Sequence, residues 1–195
     1  MYKSILSKAK ADGIILTNQE KRKHQAITEI KYWLAQYDWD FFVTLTFKYS
    51  MYDEIKVNSA IEKFLNKLSA EAFGRRSNKR VVALPVIEKC AMDNSLHVHM
   101  MIQNPTPYIL NEEKRNSFRI RDAVIQCWLQ SSSSAGNPAL ASSSDEWIKK
   151  VLDVSECVRY MTKQMKHNLE HTIPWDQCSL TGRKPETTSG NFPNQ

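Results

Sequence analysis

A chain of 195 residues, 42% of them apolar, can bury one ordinary core but is too short for several catalytic domains. Its longest apolar runs, at 41–45 and 81–87, fall well short of the roughly 20 residues of a membrane-crossing helix. No basic flank with a following apolar signal opens the sequence, so a cytoplasmic protein without a membrane partner is the expectation. Lys and Arg number 27 against 21 acidic residues, a formal charge of +6, and they cluster at 21–23, 75–76, 79–80, 149–150 and 183–184. That grouping suits a phosphate backbone, although solvated helix faces produce it as well. The four cysteines are scattered without a CxxC pair, and reduced thiols are expected.

Taken in chain order, Asn18 can cap a helix whose apolar stripe is Ile27, Ile30, Leu34 and Tyr37, an amphipathic extension over residues 1–40. At 41–47 the period falls to two. Phe41, Val43, Leu45 and Phe47 point one way and Phe42, Thr44 and Thr46 the other, as in a strand with one buried face. Ile61, Phe64, Leu65, Leu68 and Ala72 form the next helical stripe, stopped at Gly74. Two strands follow, at about 81–88 and 96–102, joined by the turn chemistry of Asp93-Asn94-Ser95. A helix is expected from about 111–116 through 130, burying Ile120, Val124, Cys127 and Trp128. Residues 131–144 (SSSSAGNPALASSS) have no periodicity and read as a flexible insertion. A strand within 147–152 and a helix capped by Ser155 and carrying Val158, Met161 and Met165 come next. Residues 171–195 form a tail in which no element is assigned. The order predicts an α+β fold, an antiparallel β-sheet with helices packed on one face, in a principal domain over 41–170.

The chemistry gathers at three places. His97-Val98-His99 puts two imidazoles on one face of a strand, which presents two nitrogen ligands to one ion. A two-residue turn at Met92-Asp93 sets Glu88 opposite His97, and one at Asp93-Asn94 sets it opposite His99. Either register brings the carboxylate to the histidine face. Two imidazoles and a carboxylate suit a divalent metal, Mn²⁺ or Mg²⁺. Finally, Tyr160 carries Lys163 at i+3 and Gln164 at i+4, so a phenol, a cation and an amide share one helix face.

The strand FVTLTF (42–47), the Glu88 strand leading to LHVHMMI (96–102), and YMTK (160–163) together resemble the ordered motifs of the HUH endonuclease superfamily. The nearest branch is the rolling-circle replication initiator (Rep) proteins with a single catalytic tyrosine. The resemblance covers 41–164 and implies a ferredoxin-like (RRM-type) plait that nicks and rejoins single-stranded origin DNA, often an origin hairpin, through a 5′-phosphotyrosine. It implies Tyr160 as nucleophile with Lys163 as its partner, and Glu88, His97 and His99 as metal ligands. DNA is then expected across the histidine face, at Thr44 and Thr46, with Arg75, Arg76, Lys79 and Arg80 as phosphate contacts near the hairpin. No Walker A sequence occurs, so a separate host helicase would unwind the duplex.

Other readings remain open on the residues. Tyr160 with Gln164 also fits the YxxxQ pattern of single-strand DNA transposases of the same superfamily, in which the glutamine binds metal. A non-catalytic single-stranded nucleic-acid-binding module could use the same plait. Cys90 beside two histidines could serve zinc, although its spacing matches no standard finger and packing is the simpler role.

Overall fold

The structure, a computed structural model, describes residues 17–141, 147–162 and 172–181. It is an α+β fold. Helix α1 (Asn18–Leu34) leads to β1 (Phe41–Leu45), α2 (Glu54–Phe73), β2 (Ala83–Lys89), β3 (Leu96–Ile102), α3 (Glu112–Ser117), α4 (Ile120–Leu129), a short α5 (Pro138–Ala141), β4 (Ile148–Lys150) and α6 (Val154–Met161). The four strands form one antiparallel sheet in the order β2-β3-β1-β4.

Local chemistry sets the helix ends. Thr17, rather than Asn18, caps α1 in a reciprocal box with Glu20, satisfying two backbone donors at once. Asp53 caps α2 by accepting from the N–H groups of Ile55 and Lys56. Gly74, at φ 90°, ends that helix where a side chain would be strained. Asp153, rather than Ser155, caps α6, accepting from Ser155 N at 2.8 Å and Glu156 N at 3.2 Å. The helix expected from about 111–116 to 130 is broken at Phe118 and Arg119, both extended. Phe118 turns its ring into the core there, and the amphipathic stripe alone did not reveal the corner.

Both faces of the sheet carry helices, which corrects the expectation of one covered face. Val43, Leu45, Val98, Met100 and Ile102 project from one face onto α2 and α4, around Phe64, Leu68, Val124 and Trp128. From the opposite face Leu84, Val86 and Met101 project into a second, smaller cluster with Ile27 and Leu34 of α1 and Val158 and Met161 of α6. The N-terminal helix is therefore a layer of the fold rather than an appendage. Amphipathic helices report that they are buried, not which face of a sheet they bury against.

Two stretches expected to be irregular are tied down by backbone bonds. In the serine-rich stretch, Lys48 N donates to Ser134 O and Gly136 N to Thr46 O, and Phe47 bridges Ala135. A Cβ on Gly136 would stand 2.9 Å from the Phe47 carbonyl carbon, so the close approach requires glycine. In the tail, Ile87 N donates to Thr172 O, and Ala83 and Ser179 exchange both backbone bonds at the outer edge of β2, covering an otherwise open strand. No helix among the described residues is long and apolar enough to cross a membrane.

A candidate metal centre beside a tyrosine

The site lies on the sheet face that α1 and α6 cover only in part. The β2–β3 hairpin pairs Glu88 with His97 and Lys89 with Leu96, so of the two registers open to the sequence the one centred on Met92 and Asp93 is adopted. The loop itself is wider than two residues: Cys90 N donates to Ser95 O, and Asn94 takes a left-handed φ of 59°. Asp93 braces it by accepting from the hydroxyl and N–H of Ser95 and from the Ser50 hydroxyl, which hold its carboxyl down to about 2.

Because strand side chains alternate, His97 and His99 share a face with Glu88, and all three ends converge. Glu88 Oε2 lies 2.6 Å from His99 Nε2 and 3.5 Å from His97 Nε2, and the two imidazole nitrogens are 3.1 Å apart. Three ligands at about 2.1 Å from one ion stand about 3.0 Å apart at right angles and about 3.4 Å apart in a tetrahedron. The two sides of the triangle that meet at His97 are close to these lengths, and the shorter Glu88–His99 side is a direct hydrogen-bond distance that would open on binding an ion. Glu88 and His99 are buried and His97 is half-buried. Two nitrogens and one oxygen on a single face leave the opposite side open to water or an anion, so the group can hold a metal ion. Cys90 is not among the converging ligands.

Thr44, expected to touch DNA, faces His99 across the β1–β3 ladder, its Oγ1 3.1 Å from His99 Nδ1. In the tautomer that presents the Nε2 lone pair to an ion, Nδ1–H donates to that hydroxyl, so Thr44 orients the ring and can accept the hydrogen bond that this tautomer offers. Phe42, one alternation earlier on β1, stacks on the His99 ring with centroids 5.2 Å apart and meets the Tyr160 ring edge-on at 5.6 Å. The alternation of Phe42 with Thr44 and Thr46 was visible in the sequence, but nothing in it marked Phe42 as the ring that packs against both histidine and tyrosine.

Helix α6 delivers Tyr160. Val158 and Met161 anchor the helix in the smaller core, which leaves Tyr160 on its flank, 41% exposed. Its hydroxyl donates to Glu88 Oε2 at 3.3 Å and its ring meets His99 edge-on at 5.3 Å. A phenol oxygen thus stands beside the same carboxylate atom that faces both imidazoles. Lys163 and Gln164 lie outside the described residues.

From this cluster a cleft of about 600 Å³ runs toward the β4 edge, floored by Phe42, Thr44 and Thr46 and flanked by Lys149, Trp147 and Glu156. The paired lysines of β4 were noted in the sequence only as a basic cluster, and their place opposite Phe41 and Phe42 emerges from the register. Arg75, Arg76, Lys79 and Arg80 are placed elsewhere. They precede β2, whose far end carries Glu88, and an extended run from Arg80 to Glu88 spans about 26 Å. There Arg80 donates to Asn66 Oδ1 and Lys79 to Tyr108 O, and burial lowers the Arg80 pKa. Their expected position near the hairpin is therefore corrected: strand direction carries them to the opposite end of the sheet.

No protein-family model, curated protein or solved structure matches the chain. Its chemistry has to be read from the site itself.

Proposed function

We propose that the protein is a rolling-circle replication initiator that nicks and rejoins single-stranded origin DNA through Tyr160. The observation that carries this reading is the meeting of a phenol with the two-histidine, one-carboxylate group, at 3.3 Å from Tyr160 Oη to Glu88 Oε2. The element order β-α-β-β-α-β within the fold, with strands arranged β2-β3-β1-β4, supports the ferredoxin-like plait of the superfamily that the motifs resemble.

In this reading Glu88, His97 and His99 would hold Mn²⁺ or Mg²⁺, which when bound polarises a phosphate oxygen and offsets charge building on the phosphoryl group. Thr44 keeps His99 oriented, and Phe42 packs against both the His99 and Tyr160 rings, shielding one side of the site from water. Tyr160 Oη attacks the phosphorus. The phenol gives up its proton and the P–O bond to the 3′ oxygen breaks. That oxygen takes up a proton in exchange and leaves as a 3′-hydroxyl, so that no net proton is consumed, and the 5′-phosphate remains esterified to tyrosine. Attack by a 3′-hydroxyl on the phosphotyrosine reverses the sequence and rejoins a strand. The energy of the broken phosphodiester is kept in the new ester, so rejoining needs no nucleotide cofactor.

The test is incubation with Mn²⁺ and a labelled single strand carrying the replicon's own origin. The expected result is a denaturant-resistant adduct mapping to Tyr160, with a free 3′-hydroxyl on the released fragment. Binding without an adduct would make the protein a single-strand binder instead, and cleavage at element ends rather than at an origin hairpin would make it a transposase.

A further inference from the structure

Tyr49 and Tyr52 have no role in the chemistry above, yet they are among the most exposed large side chains of the described chain, at 83% and 60%. They line a groove of about 830 Å³ on the other side of the β1 end from the Tyr160 cleft, with Lys56 and Lys63 of α2 on one wall and Ser132 and Ser133 on the other. The groove passes the start of β3, the strand that carries the two histidines. Met51 O accepts the Leu96 N–H at 2.6 Å, one residue before His97, and Ser50 bonds the hairpin through Asp93. Between the two cavities runs the ladder that ties Thr46 and Lys48 to residues 134–136, and Lys48 Nζ reaches Ser133 O at 3.1 Å.

We infer that this groove binds the single-stranded DNA that flanks the cleavage point, with bases stacked on Tyr49 and Tyr52 and phosphates beside Lys56 and Lys63. Exposed rings interleaved with cations are what a sequence-tolerant single-strand track requires: a π-face for any base and charge for the backbone. The acidic groups nearby are engaged locally. Asp53 caps α2 and pairs with Lys56 at 3.3 Å, and Glu54 approaches Lys89. Lys63, about two turns beyond Lys56 along α2, extends the positive wall away from them. A strand lying here would pass Met51, whose carbonyl bonds the backbone one residue before His97, and would then have to cross the end of the sheet to the Glu88, His97 and His99 cluster on its other face, whereas the Arg75 to Arg80 cluster lies at the far end of β2.

The inference rests on the proposed single-strand chemistry but is tested apart from it, by binding without catalysis. Fluorescence anisotropy of a labelled thymidine homopolymer, with EDTA present so that no cleavage occurs, reads affinity and its salt dependence. The double variant Tyr49→Ala/Tyr52→Ala is expected to weaken binding on the order of ten-fold or more, while Tyr49→Phe/Tyr52→Phe keeps the rings and binds as the parent does. Lys56→Ala/Lys63→Ala is expected to flatten the slope of log K against log salt by about 1.4, the value for two phosphate contacts on a single strand. Thermal unfolding checks that each variant is folded, and if one pair fails to fold the other still decides. A parent that binds while both folded Ala doubles match it overturns the groove and leaves the tyrosine chemistry standing. A parent that binds no single strand overturns both, and a Phe double as weak as the Ala double refutes stacking.

Discussion

The two faces of the sheet are built to different ends. Val43, Leu45, Val98, Met100 and Ile102 meet α2 and α4 in an apolar layer of aliphatic, sulfur-bearing and aromatic side chains. The opposite face alternates with it residue by residue along the same strands, yet it carries Thr44, His97, His99 and Glu88 where packing alone would favour valine or leucine. Only its β2–β3 half is closed, by α1 and α6, and the β1–β4 half opens into the cleft. A buried carboxylate is costly unless paired or bound to metal, so Glu88 depends on its imidazole and phenol partners, while the first face rests on apolar packing. Sheet alternation lets one strand serve both purposes.

The sharpest way to break the comparison is Tyr160→Phe, which removes one hydroxyl from the open face. Covalent attachment to DNA should disappear entirely while the thermal midpoint stays where it was, and a persistent adduct in Mn²⁺ would move the nucleophile elsewhere. On the closed face Trp128→Ala should do the reverse. Trp128 is fully buried and donates Nε1–H to Thr46 O at 2.8 Å, so its loss should cost about 3–5 kcal/mol in chemical denaturation. Mn²⁺ binding by the molecules that remain folded should be unchanged.

Between these limits lies the metal group. Glu88→Ala should raise the Mn²⁺ concentration needed for cleavage, and for metal-dependent thermal stabilisation, more than Gln164→Ala does; the opposite ranking would favour a transposase-like ligand set. Thr44→Val keeps the strand and its shape but removes the partner of His99 Nδ1. A fall in metal affinity of roughly 10–100-fold is expected, with recovery in Thr44→Ser, and calorimetric titration with Mn²⁺ would read both. The smallest effect belongs to Asp93. Hydrogen bonds from the Ser95 hydroxyl, then the Ser95 N–H, lower its pKa from 3.8 to about 2. A lowered folded value means that its contribution is complete above the unfolded value and is lost as pH falls through the folded one. Asp93→Asn should therefore flatten the pH dependence of the urea midpoint between those two values and leave Mn²⁺ binding near neutrality intact.

Much of the site was legible because period two is a strict code. Once 96–102 is a strand, His97 and His99 must share a face, and any short hairpin brings Glu88 to it. Gly74 likewise ended its helix where expected, because a positive φ has few other occupants. What stayed hidden depended on nonlocal geometry. Thr44 looked like a solvent-facing strand hydroxyl until the register set it opposite His99. The basic run at 75–80 seemed close to Glu88 in sequence, yet strand direction separates the two in space. The serine-rich stretch lacks any side-chain period because its order comes from backbone bonds to Thr46 and Lys48, and backbone groups leave no pattern in composition. Helices α1 and α6 revealed their apolar stripes but not their shared face, and without that the second layer could not be drawn.

The site is also divided in time and in chain length. Its three metal ligands belong to one hairpin, where Glu88 and His97 are adjacent across the turn, whereas the contact from Tyr160 to Glu88 spans 72 residues. Closing the longer loop costs about 2 kcal/mol more in chain entropy than closing the hairpin, and only Val158 and Met161 of α6 are fully buried to repay it. Fluctuations should therefore detach the tyrosine helix before they disturb the ligand group, and amides of α6 should exchange with deuterium sooner than those of β2 and β3. On the proposed chemistry, a site hinged in this way would lift Tyr160 off an intact ligand group, which would give a long polymer with no free end nearby a way in from the side.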